Sequence, residues 1–122
     1  MDSLVAKFFR LECQLRLYHW NTESFARHKA SCDAIQHVVA SMDRIIETLL
    51  GSYDRANVVP KHSFSIKLHT FEDNEIGLYI QAFCEYLESW ETVPGLEGSD
   101  ILNLRDELLG HLKQVMYLMT LS

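Results

Sequence analysis

The chain has 122 residues, two prolines, five glycines and no low-complexity tract, so one domain spanning residues 1–122 is expected and disorder is not. A formal charge of −6 without a lysine-rich arm argues against nucleic acid, so DNA is not an expected partner. No apolar run approaches the roughly 18 residues of a membrane span, residues 1–7 lack the pattern of an export signal, and Cys13, Cys32 and Cys84 are spaced as reduced thiols rather than as a disulfide framework. A cytoplasmic protein with no membrane partner is the expectation.

Leu4, Phe8, Leu11, Leu15 and Tyr18 recur at spacings of four and three, which puts them on one side of a helix over about residues 3–20. A second stripe, Phe25, His28, Cys32, Ile35, Val39, Met42, Ile46 and Leu49, predicts a long second helix ending at Gly51. Thr22 or Ser24 is its expected cap, and Tyr53, Asp54 and Arg55 could prolong it.

From Ser52 to His69 the helical rhythm fails. Pro60 lacks a backbone donor, and Phe64, Ile66 and Leu68 alternate as in an extended segment. So long a link is uncommon inside a compact domain. The second helix would be roughly 40 Å long, and the link can reach about 60 Å, so it can return along the whole molecule and let the second and third helices point the same way.

Thr70 followed by Asp73 resembles a capping box opening the third helix, with Ile76, Tyr79, Ile80, Phe83, Leu87 and Trp90 on its inner side and Pro94-Gly95 as its stop. Ser99 is the expected cap of the fourth helix, whose inner residues are Ile101, Leu104, Leu108, Leu112, Val115 and Met119. The predicted fold is all-α: a ferritin-like four-helix bundle with a long crossover between helices two and three.

Taken singly, the polar candidates have ordinary readings. His19 reads as a half-buried packing residue, Cys32 as a small core hydrophobe, and Asp43 and Glu47, which flank Arg44, as a solvated salt-bridged face. Their combination suggests more. At about 100° per residue, Cys32, Asp43 and Glu47 fall roughly 40°, 60° and 100° from His28, so all border the apolar stripe. Such groups are costly there unless paired with one another, with protons or with a cation.

His28 and Asp43 are nevertheless about 22 Å apart along the helix axis, too far for one ion. Two copies of the second helix, antiparallel across a two-fold axis, would bring His28 of one subunit to Asp43 and Glu47 of the other, giving two equivalent sites per dimer. His37 points about 180° away from His28, toward solvent or a neighbouring helix. It and His62, His69 and His111 read as structural or surface histidines, with His111 isolated. Cys13 and Cys84 are expected to be buried. No glycine-rich phosphate loop, Cys-x-x-Cys pair or nucleophile elbow occurs, which sets aside nucleotide hydrolases, zinc ribbons and serine hydrolases.

The stretch from Leu15 to Leu50 resembles the first half of the Dps-like branch of the ferritin superfamily. His19-Trp20-Asn21 matches that branch's His-Trp-Asn signature, His28 its second histidine, and Asp43 with Glu47 its Asp-x-x-x-Glu pair. The resemblance implies an iron site of ferroxidase type shared across a homodimer or larger homo-oligomer, with His19 and His28 from one subunit and Asp43 and Glu47 from the other. It also implies oxidation of Fe²⁺ by peroxide or oxygen, with Trp20 absorbing oxidising equivalents beside the site. The string Phe25-Ala26-Arg27-His28-Lys29-Ala30 resembles short ferritin-like proteins encoded by large DNA viruses, which would place the protein in host cytoplasm or virion.

The chain departs from the Dps-like pattern at Cys32, where a carboxylate is expected one turn after His28; Asp33 is about 100° off that direction. A thiolate is softer than a carboxylate and biases a site toward zinc. The loop between His19 and His28 is shorter than usual, and the basic tail with which some members hold DNA is absent. The alternative function is a helical assembly or interaction protein that keeps the bundle and carries a degenerate metal site.

Overall fold

The computed structural model describes residues 3–121; Met1 and Asp2, part of the stretch read for an export signal, and Ser122 lie outside them. The fold is all-α, with no strand among the described residues. Its elements are α1 (Leu4–Asn21), α2 (Phe25–Leu50), the single turn α3 (Arg55–Val58), α4 (Ile76–Glu88) with a following 3-10 turn Ser89–Thr92, and α5 (Ser99–Met119). No helix among these residues is long and apolar enough to cross a membrane.

All five residues of the predicted α1 stripe are buried. The helix stops where Thr22 turns extended, and Ser24 rather than Thr22 caps α2, its side chain accepting from the Arg27 N–H at 3.2 Å. Thr22 instead stabilises the loop, its hydroxyl accepting from Ser24 N–H. Helix α2 ends at Gly51, and residues 53–55 do not prolong it; Arg55 opens the separate turn α3, which buries Val58.

The buried side of α2 is rotated from the predicted stripe. Ala30, Ala34, Ile35, Val38, Met42, Ile45 and Leu49 face inward, whereas Phe25 is 75% exposed and Cys32 is on the surface. The reason lies in the apolar doublets Val38-Val39 and Ile45-Ile46. Periodicity alone does not choose between adjacent members, but α2 packs between α1 and α5, and that position buries Val38 and Ile45 while leaving Val39 and Ile46 at the margin.

The crossover runs along α1. Phe64 stacks on Phe9, Arg10 Nε donates to the Lys67 carbonyl at 2.8 Å, and Gln14 holds the His69 peptide. Asp73 then meets Tyr18 and Thr22 near the start of α2. From there α4 runs back antiparallel to α1: the Arg10 guanidinium lies over the Tyr79 ring, and Phe8 meets Phe83 and Trp90 edge-on. Helices α2 and α4 therefore point the same way. Helix α5 runs opposite to both, as Arg44 pairs with Glu107 and Arg105 meets the end of α4.

Helix α4 begins at Ile76, so the Thr70–Asp73 capping box does not form. The Asp73 carboxylate accepts from the Tyr18 and Thr22 hydroxyls at 2.7 and 2.9 Å, and the local turn is closed by Glu75, whose side chain accepts from Glu72 N–H. Trp90 belongs to the 3-10 turn and is fully buried. Val93–Leu96 closes a β-turn with Pro94 and Gly95 in its centre; Gly95 has φ 92°, a conformation that favours glycine.

Gly98, not Ser99, occupies the cap position of α5, and the Asp100 carboxylate accepts from the Ile101 N–H. On the inner face Arg105 is buried where Leu104 was predicted, and Leu104 is only partly so. The Arg105 guanidinium reaches Leu87 O at 2.8 Å, together with Asp106 and Glu91. It thus neutralises the carbonyl end of α4, which a leucine could not do.

Candidate metal centres

The sharp loop Thr22–Ser24 folds the first turn of α2 against the last turn of α1 and brings His19 and His28 together. Their half-buried rings stack with centroids 3.7 Å apart and planes 19° from parallel. Each ring is held by the other's backbone: His19 Nδ1 lies 2.9 Å from His28 O, and His28 Nδ1 lies 2.8 Å from His19 O. Ser31 Oγ adds a contact to His19 Nδ1 at 3.1 Å. A carbonyl oxygen only accepts, so both Nδ1 atoms carry protons, and in the neutral form of the rings both Nε2 lone pairs are left for other use. This is the tautomer that metal-ligating histidines adopt when their second nitrogen is anchored.

Asp43 and Glu47 are exposed on α2, and Arg44 between them pairs with Glu107 of α5 at 3.3 Å rather than with either neighbour. They lie far along the helix from the histidine pair, about 22 Å from His28 to Asp43 at 1.5 Å per residue. One chain thus unites His19 with His28 and keeps Asp43 with Glu47 apart from them. Trp20 is 70% exposed next to His19. A groove of about 840 Å³ beside the pair is lined by Phe25, His28, Cys32, Leu118 and Leu121, among others. Cys32 is therefore a surface thiol on the groove, not a core residue.

A second constellation joins α2 to α5. His37 and His111, read from sequence as a histidine facing solvent or a neighbouring helix and as an isolated one, stack with centroids 3.4 Å apart. Asp33, one turn before His37, completes a group whose potential ligand atoms all lie within 4.8 Å of one another. Asp33 and His37 are exposed and His111 is half-buried. Burial, and then the neighbouring His37, push the His111 pKa below its ordinary value, with Asp33 opposing. His111 Nε2 is buried without a hydrogen-bond partner among the described residues. The Asp33-x-x-x-His37 spacing was visible in the sequence; the partner 74 positions later was not, because only the antiparallel register of α2 and α5 supplies it.

His62 and His69 stay in the crossover outside any such group. Cys84 is buried as expected, with its thiol pKa pushed by burial to about 11, whereas Cys13 is only half-buried.

No curated protein and no solved structure matches the chain. One family model matches residues 19–119, which takes in both histidine pairs and every long helix except most of α1: the chain belongs to the family of unknown function DUF5856.

Proposed function

We propose that the protein is a ferritin-like, Dps-type iron-binding protein whose metal site is completed by a second copy of the chain. The observation that carries this reading is the reciprocal anchoring of His19 and His28, which leaves two imidazole nitrogens open on one side of the molecule. Two such nitrogens suit a borderline divalent ion such as Fe²⁺ or Zn²⁺ but fall short of a full ligand set. Asp43 and Glu47 are the complementary half: two exposed carboxylates one turn apart, neither bound to the arginine between them.

The parallel course of α2 and α4, joined by a long crossover with α1 and α5 antiparallel to them, supports the ferritin-like bundle within this reading. The groove beside the histidines, with Phe25 75% and Leu121 63% exposed, is apolar surface of the kind that self-association covers. An isologous dimer through antiparallel α2 helices gives two shared sites. In such a site His19 and His28 hold Fe²⁺ as substrate, Asp43 and Glu47 of the second copy offset its charge, and Trp20 stands within reach to give up an electron. Oxidation by peroxide or oxygen is the reaction this set would serve.

Complementation tests the sharing directly. The double variants His19→Ala/His28→Ala and Asp43→Ala/Glu47→Ala each lose Fe²⁺ binding in anaerobic titration. Mixing them after dissociation restores binding, because each mixed dimer regains one intact site. No recovery in a mixture shown to contain mixed dimers sinks the shared-site reading.

Cys32 favours a second reading, an assembly protein with a degenerate site, because a surface thiol stands where a carboxylate would strengthen the iron site. That reading expects the same dimer with no Fe²⁺ binding by the unaltered chain.

A further inference from the structure

The α2–α5 constellation asks a separate question of the molecule: its His37 lies about 13 Å further along α2 from His28 and on the opposite side of that helix, while Asp33, about 7 Å along, also borders the groove beside His28. We infer that Asp33, His37 and His111 form a second, intrachain site for a divalent first-row transition ion of the zinc class, with at least one coordination position left open to the adjoining groove.

Three features support it. The donor set, two imidazoles and one carboxylate, is the set that binds zinc in open sites and non-haem ferrous iron in facial triads. The placement is pre-organised: Asp33 and His37 are neighbours one helical turn apart, and His111 is delivered by a helix packed against the first. Ligand atoms within 4.8 Å lie close to the spacing of about 3.4 Å that tetrahedral ligands keep around an ion at 2.0–2.1 Å. Side-chain rotations of about an ångström would close the difference, and the exposed Asp33 and His37 have room to make them.

The third feature is the state of the histidines without an ion. The His37 and His111 rings stack with centroids 3.4 Å apart, and the Asp33 carboxylate lies beside them. His111 Nε2, buried and without a hydrogen-bond partner among the described residues, carries an unsatisfied lone pair or N–H. The adjoining groove of about 550 Å³ is lined by polar and charged groups including Ser41, Arg44, Asp106, Glu107 and Gln114. Its polarity would admit water to an open coordination position rather than an apolar ligand.

The site does not depend on dimerisation or on the His19–His28 pair, so its test is separable from that of the proposed iron site. The experiment titrates metal-free protein with Co²⁺ alone and then Zn²⁺ alone, following the visible d–d bands of Co²⁺ and the stoichiometry by calorimetry. The His19→Ala/His28→Ala background, which removes the other stacked histidine pair, should still bind one ion per chain with bands of low-symmetry, four- or five-coordinate cobalt. Adding His37→Ala or His111→Gln to that background should weaken binding roughly 100-fold or more, beyond the 10–100-fold typical of losing an outer partner. Asp33→Asn, on an exposed position that leaves the core untouched, should weaken it with unchanged helicity and urea midpoint. Retention of full affinity in the His37→Ala and Asp33→Asn variants would overturn the assignment, as would absence of saturable binding in the folded background protein.

Discussion

Gln14 holds the His69 peptide with both ends of its side-chain amide: its carbonyl accepts from His69 N–H at 2.7 Å and its NH₂ donates to His69 O at 2.6 Å. Gln14 is fully buried on α1, and this clasp gives the irregular crossover a backbone partner it lacks for want of a neighbouring strand. Gln14→Leu keeps the apolar volume and removes both bonds, leaving a peptide N–H and C=O without partners. A loss of about 2–4 kcal/mol is expected from two unsatisfied groups. Urea unfolding should show a lower midpoint at unchanged slope, and the His69 amide should exchange faster than those of α2. Equal exchange protection in the variant would show that the clasp does not hold the crossover.

Tyr18 and Asp73 tie the far end of the same segment, and here the effect is pH-dependent. The hydrogen bond from Tyr18, with smaller help from Thr22 and Arg27 against a desolvation cost, lowers the Asp73 pKa from its ordinary 3.8. An acid whose folded pKa is depressed binds fewer protons folded than unfolded, so its stabilisation is complete above the ordinary value and lost as pH falls through the folded one. Asp73→Asn should therefore lower stability at pH 7 and flatten the acid limb of the pH–stability curve below about pH 4, near the ordinary carboxylate pKa. An unaltered acid limb contradicts this role. Asp73 is surface-exposed, so the effect should be modest and shrink with added salt.

The helices were legible wherever apolar spacing alone decides burial, as in α1, whose predicted inner stripe is buried in full. The direction of the crossover was legible from reach. The start of α4 was not, because Asp73 carries the same local signature whether it caps a helix or accepts from Tyr18 across 55 residues. The His19–His28 pair was anticipated by motif, yet its reciprocal backbone anchoring depends on the tight Thr22–Ser24 turn, which no side-chain pattern announces. His37 and His111 were missed for a different reason: they are 74 residues apart, and their meeting is set by the register between α2 and α5.

Arg105 is the one buried cation among the described residues, with its guanidinium on Leu87 O and on two carboxylates that are themselves exposed. Arg105→Met retains much of the stem and removes the charge. The Leu87 carbonyl then loses its partner at the negative end of α4, a cost of about 1–3 kcal/mol. Glu91→Gln and Asp106→Asn should each cost well under 1 kcal/mol, because those partners face solvent. Thermal melts of the three variants separate the cases. Equal losses in all three would mean that the ion pairs, rather than the carbonyl contact, hold the arginine.

Cys32 and Cys84 should differ sharply toward thiol reagents. Cys32 is exposed on the groove beside His28, while Cys84 is fully buried with its pKa at about 11, so its reactive thiolate is scarce. Under native conditions iodoacetamide should modify Cys32 promptly and Cys84 only on unfolding, as read by peptide mass mapping over time. Modification of Cys84 at the rate of Cys32 in folded protein would show that α4 opens locally far more readily than its packing implies.

The mutual anchoring of His19 and His28 makes a prediction that needs no metal. Because each Nδ1 faces a carbonyl oxygen at 2.8–2.9 Å, both rings in the neutral form must be Nδ1–H tautomers, the less common form for a free imidazole. In ¹⁵N-labelled protein at a pH where both are neutral, Nδ1 of each should resonate as a protonated nitrogen and Nε2 as a bare one. The coupling is reciprocal, since each side chain leans on the other residue's backbone. His28→Ala removes the donor that fixes the His19 carbonyl but leaves the His28 carbonyl and Ser31 Oγ, so the His19 tautomer should persist. His19→Ala removes a donor to His28 O, which still receives Ser31 Oγ–H at 3.0 Å, and leaves His28 Nδ1 its own carbonyl partner. Each single variant should thus keep the remaining ring in the Nδ1–H form while unstacking it and increasing its mobility. A shift of either ring to the Nε2–H form in the unaltered protein would remove the open nitrogen on which the proposed iron site depends.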